Sequence, residues 1–231
     1  MSDLATILLL LRLRAFATTE AVAEATGTPP DVVEGLLSES ESHRLVQHRS
    51  GRIDGWTLTA TGRRHGQELL VAEMDAAGAR AAVTDAYLDF LPLNAELLSI
   101  CTDWQVVDQG GEHVPNDHSD PLRDAAVLRR LDELHPAAMR VTDALSAALG
   151  RFSGYGPRLT DAHLHVAAGR TEWLSGATSS SYHGVWFELH EHLLTVLGHE
   201  RTREPIPAYT PTIPDDTSRP PQGAPRNGDV P

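Results

Sequence analysis

The longest apolar run of the chain is Leu4 to Leu13, interrupted only by Thr6 and Arg12. With its extension to Ala17 it predicts one buried helix. Thr18 or Thr19 can cap a second, short helix through Ala25, with Gly27 at its C-terminal end. Pro29 and Pro30 suit the opening of a third helix, which carries Val32, Val33, Leu36 and Leu37 on one face. The period then changes. Leu45 to Arg49, a glycine-bearing turn over 50–55, and Trp56 to Thr59 read as strand, turn, strand, a β-hairpin. Thr59 caps a long helix from near Ala60. Further on the pattern is almost wholly helical, over about 60–90, 92–105, 120–149 with an interruption at Pro136, 157–169 and 181–198. The glycine- and aspartate-rich stretch 108–120 reads as a loop.

Charge divides the same chain of 231 residues into three parts. Residues 1–70 hold nine acids and seven arginines, and 71–204 hold twenty acids and ten arginines. Residues 205–231 hold eight of the fifteen prolines and read as a disordered tail. The net charge of -13, without a single lysine, excludes a uniformly basic nucleic-acid-coating protein, but local charge sets the local field. Asp3 stands where a signal peptide needs basic residues, and Arg12 and Arg14 interrupt the apolar run. No stretch reaches the roughly 20 apolar residues of a membrane span. The single cysteine, Cys101, suits a reducing compartment. These features predict a cytoplasmic protein without a membrane partner.

Helix, helix, turn, helix and a two-stranded wing is a DNA-binding arrangement, in which the third helix enters the major groove and the hairpin follows the backbone. Thr19 to Gly27, followed by Val33, Leu37 and Leu45-Val46, resembles the helix-turn-helix of MarR/PadR-type winged-helix regulators. Gly55-Trp56-Thr57-Leu58-Thr59-Ala60-Thr61-Gly62-Arg63 is similar to their wing-strand, Leu-Thr, two residues, Gly-Arg signature. The resemblance covers residues 4–70. It departs at Ser40, where such helices carry leucine, and at Arg44, where they carry glycine. The recognition helix exposes Asp31, Glu34 and Glu39, which repel phosphate. Residues 41–66, in contrast, carry Arg44, Arg49, Arg52, Arg63 and Arg64 against Glu41 and Asp54, a net +3. These five arginines are the candidate contacts to double-stranded DNA. The other reading is that they are solvated side chains of a protein-contact module.

From about Phe90 onward a second likeness begins. Leu91-Pro92-Leu93-Asn94, Cys101 to Gln105, Asn116 to Asp120 and Ser181 to Glu191 resemble a helical accessory module of actinobacterial pyruvate, phosphate dikinase-like proteins, over residues 88–200. That resemblance imports no catalysis, since neither a glycine-rich loop with a phosphorylatable histidine nor room for a nucleotide-binding half is present.

In the segment 181–198, Tyr182, Val185 or Trp186, Leu189, Leu193 and Val196 share one stripe, and His183, Phe187, His190, Leu194 and Leu197 the next. Glu188, Glu191 and His192 point further out. His183 and His190 stand about 10.5 Å apart along the axis, too far to share an ion. Either they are hydrogen-bonded in the core or they line a small-ligand pocket with Asp103 and Trp104. Asn116, Asp117 and Asp120 lie near the same mouth, or Asp120 caps the following helix. Zinc spacings, nucleophile elbows and phosphate loops are not found in the sequence, so no metal, cofactor or catalytic residue is expected.

The expected fold class is mainly α: a winged helix-turn-helix with a small β-hairpin wing over 1–70, and an α-helical domain over 71–204. The expected function is a transcriptional regulator, not an enzyme, acting as a homodimer, with the helical domain for dimerisation and sensing of a small-molecule effector. The alternative is a non-catalytic accessory protein that docks on a PEP-utilising enzyme.

Overall fold

The structure is a computed structural model that describes residues 3–51, 54–176 and 180–199. It is mainly helical with a small antiparallel sheet. Arg52 and the tail 205–231 lie outside the described residues. The first unit runs α1 (Asp3–Arg14), β1 (Phe16–Ala17), α2 (Thr19–Thr26), α3 (Pro30–Ser42), β2 (Val46–Arg49) and β3 (Gly55–Leu58). Its sheet has the order β1-β3-β2, with Phe16 opposite Thr57 and Val46 opposite Leu58. The first helix is shorter than expected. Ala15 adopts a left-handed φ of 61°, and the chain turns into β1, an edge strand that the sequence pattern does not announce.

Local chemistry explains the rest of this unit. Thr18 is the cap of α2, its Oγ accepting from the Ala21 amide at 3.2 Å, and Gly27 closes that helix at φ 67°. Ser40 is buried and donates to the Leu36 carbonyl at 2.6 Å, which satisfies its hydroxyl where an apolar side chain was expected. Arg44 has a φ of 57°, the left-handed conformation that glycine adopts without strain. Thr59 caps α4 (Ala60–Ala76), accepting from the Gly62 amide at 2.9 Å and donating to the Arg44 carbonyl at 2.7 Å. A Cβ on Gly62 would stand 1.9 Å from the Leu45 carbonyl oxygen. Glycine in the Leu-Thr-x-x-Gly element is therefore a steric requirement of α4 crossing the entry to β2.

The helix expected over 60–90 is in fact two helices. Gly78 takes φ 64°, and the Ala79 amide donates back to the Met74 carbonyl at 3.0 Å, a glycine-terminated helix end. The break expected near residue 91 is missing: α5 (Arg80–Gln105) runs through Pro92. Likewise α6 (Pro121–Ala148) continues through Pro136. Tertiary packing of both helices over their whole length overrides the proline penalty. Part of the expected loop 108–120 is a second hairpin, β4 (Val106–Gln109) with β5 (Glu112–Pro115), turning on Gly110 and Gly111, both at positive φ. A 3₁₀ turn (Gly150–Phe152), α7 (Tyr155–Ala167), the short α8 (Glu172–Ser175) and α9 (Tyr182–Leu197) complete the described chain.

Two apolar clusters form. One joins Ile7, Leu8, Leu11, Val22, Val33, Leu37, Val46 and Trp56 in the first unit, and the other fills the space between α5, α6, α7 and α9. Helix α1 serves both, because Ala5 and Leu9 face the second cluster while Ile7, Leu8 and Leu11 face the first. This double burial is why α1 is apolar almost all round. The two units are also tied by ions. The Arg12 Nε donates to Glu191 at 2.8 Å across them, and within the helical body Arg151, whose side chain is 3% exposed, pairs with Glu73 of α4. No helix among the described residues is long and apolar enough to cross a membrane.

Candidate functional site

The basic segment of the first unit is assembled by the crossing at Thr59. Arg44 lies at the end of α3, and its carbonyl accepts from the Thr59 hydroxyl. The Arg63 amide donates to the Thr59 carbonyl at 2.9 Å, so Arg63 and Arg64 occupy the first turn of α4 beside Arg44. Arg49 stands at the far end of β2, opposite Gly55. All four side chains are exposed, and none makes an ion pair or hydrogen bond among the described residues.

The two acids of the same segment are engaged elsewhere. Glu41 Oε1 accepts from the His48 amide at 2.9 Å, and Asp54 Oδ1 meets His48 Nε2 at 2.7 Å. The His48 ring leans on Trp56 with centroids 4.6 Å apart. Trp56 is buried and donates through Nε1 to Thr19 Oγ at 3.0 Å, and Thr19 in turn donates to Glu34 at 2.8 Å. The α3 carboxylates of Asp31, Glu34 and Glu39 are exposed, as the sequence reading expects. The arginines therefore frame the hairpin and the start of α4, while the outer face of α3 is acidic.

The residues suggested for a ligand pocket are distributed along the second unit. Asp103 accepts from Arg130, which also holds Glu96 at 2.9 Å and Ser99 at 2.8 Å. Trp104 packs its ring 4.4 Å from His118, in a network where Asn116 Nδ2 donates to the Trp104 carbonyl at 3.0 Å and His118 Nδ1 meets Asp124 at 3.0 Å. Asp120 caps α6, accepting from the Leu122 amide at 3.0 Å and the Arg123 amide at 3.1 Å. His190 is buried, its ring 5.1 Å from Phe90. Phe90 and Trp104 are separated by about 21 Å along α5, so His190 and Trp104 do not face one cavity. His183 is half-buried, and burial lowers its pKa.

His192 corrects the expectation of an outward side chain. It is fully buried, stacked on Phe152 at 4.4 Å, with Nδ1 3.1 Å from the Tyr155 hydroxyl. Burial, with the Arg151 charge in support, pushes its pKa down to about 3. A second pair was missed in the sequence: His135 and His163 stack at 4.1 Å, His163 paired with Asp132 at 2.7 Å and His135 with the Tyr182 hydroxyl at 3.1 Å. Burial and the neighbouring His163 take His135 down to about 4. The i,i+3 spacing of Asp132 and His135 was the available signal, but its partner on α7 was not visible in sequence. No group of three or more potential metal ligands forms among the described residues.

Comparison with protein-family models, with curated proteins and with solved structures found no match.

Proposed function

We propose that this chain is a winged-helix transcriptional regulator. It works in the cytoplasm as a homodimer on two-fold related DNA half-sites, and its helical body carries dimerisation and the sensing of a small-molecule effector. One observation supports this reading above the others: Arg44, Arg49, Arg63 and Arg64 are exposed without partners among the described residues, while Glu41 and Asp54 are occupied by His48. That arrangement leaves positive potential beside the hairpin for phosphate oxygens to neutralise.

The test is binding to the DNA upstream of the protein's own coding sequence over a salt series. Sequence-specific binding that weakens with salt, and weakens further on Arg49→Ala and Arg63→Ala, is expected. Absence of specific binding at low salt defeats the reading. The exposed acids Asp31, Glu34 and Glu39 favour a second reading, an accessory protein docking on a PEP-utilising enzyme. A stoichiometric enzyme partner recovered from native lysate, without DNA binding, would select it.

A further inference from the structure

An open groove of about 530 Å³ lies between α6 and α7 on the surface of the helical body. The two helices meet closely at its edge, where a Cβ on Gly156 would stand 3.1 Å from Thr142 Oγ. Its walls are apolar: Met139 from α6, with Pro157 and Leu164 from α7. Leu164 is 61% exposed, so the groove presents hydrocarbon directly to water. The Thr160 hydroxyl is turned onto Met139 Sδ at 3.3 Å.

The charges lining the groove are of one sign. Asp143 and Asp161 contribute carboxylates, and no arginine lines it. Asp143 has no ion pair or hydrogen bond among the described residues. Asp161 reaches His165 only at 3.5 Å. The adjacent Arg158 is directed to Glu188 at 2.7 Å.

We infer that this groove binds a small organic cation with a large apolar body, of the quaternary phosphonium or ammonium class. Its volume is in the range of small-molecule sites. The methionine thioether and leucine wall remove hydrocarbon from water and adapt to its shape. The carboxylates attract the cation and repel an anion of the same size. An onium ion is weakly hydrated and offers no hydrogen bonds, which matches a site with two carboxylates and few directed donors or acceptors. The proposal concerns the helical body alone and holds whatever the first unit binds.

Tetraphenylphosphonium and tetraphenylborate share shape and apolar surface but differ in sign, so they separate charge from hydrophobicity. Titration of the full chain by calorimetry is expected to show one cation per chain, bound about tenfold tighter than the anion, as two water-exposed carboxylates would provide. The Asp143→Asn, Asp161→Asn double variant is expected to erase that preference. In the unsubstituted protein, the methyl NMR signal of Met139 is expected to shift with the cation while that of Met74, buried in the core, stays. Equal or better binding of the anion, no binding of either ion, unchanged cation preference in the double variant, or a Met139 signal that does not move would each overturn the proposal.

Discussion

The arginines around the hairpin and those set between helices of the body are used in opposite ways, with Arg129, Arg140 and Arg170 on the body's surface exposed like the first set. Around the hairpin, Arg44, Arg49, Arg63 and Arg64 project into solvent, and the two local acids are turned to His48. In the body, Arg80, Arg130, Arg151 and Arg158 are engaged by carboxylates, and Arg123 donates to the carbonyls of Asp103 and Val106. One set of cations leaves its field available to a partner. The other joins helix to helix or closes helix ends. Whole-chain acidity says little about either, because the charge that matters is the charge left uncompensated at a given place.

The largest effect of a single substitution that would sharpen this contrast is expected at Arg151. Replacement by alanine strands Glu73 at the junction of α4 and the 3₁₀ turn, and about 3 kcal/mol of stability should be lost in chemical denaturation. Acid comes next. His192 is held neutral far below the ordinary histidine value of 6.5, so the unfolded chain takes up the proton first as the pH drops. Stability should be intact above pH 6.5 and decline from there down to about pH 3, by up to about 1.4 kcal/mol per pH unit. His135 acts in the same direction over 6.5 to about 4, more weakly because it keeps contact with water. His192→Gln should flatten the slope between pH 6.5 and 5; an unchanged slope would assign the acid sensitivity to other groups.

A smaller and more selective effect is expected at Arg44. Arg44→Gly relieves a left-handed backbone and should raise stability by about 1 kcal/mol, while weakening the DNA binding proposed above. Opposite signs in melting and in DNA affinity would show that a backbone cost is tolerated here for the sake of a charge. The smallest stability change is expected for Arg49→Ala, within about 0.5 kcal/mol. Under the proposed function, its mark should instead be a salt dependence of DNA binding reduced by about one unit of slope. If Arg49→Ala destabilised the fold as much as Arg151→Ala, the distinction between the two regions would fail.

What could be read from sequence follows the range of the interactions involved. The capping threonines, Gly27, the first hairpin and the apolar stripes of α9 are local signals, and each is found where expected. Strand β1 is two residues long and depends on a partner forty residues away, so no pattern announces it. Pro92 and Pro136 suggest breaks that the bundle does not make. Arg44 stands in the sequence where a glycine was expected, and its left-handed backbone gives that departure a physical meaning. His192 was misplaced because helical periodicity sets angular position without revealing that α9 is surrounded on nearly all sides. The arginines were legible as a charge count. That Glu41 and Asp54 both attend to His48 rather than to an arginine was not.

Helix α1 has one further consequence. Ala5 and Leu9 wall one cluster, and Ile7, Leu8 and Leu11 wall the other. A fragment cut near residue 70 would carry away a bare greasy flank, and the remainder would be left with an unroofed bundle. Movement in either half is therefore expected to displace this common wall, which makes the twelve residues of the helix a mechanical fulcrum as well as packing material.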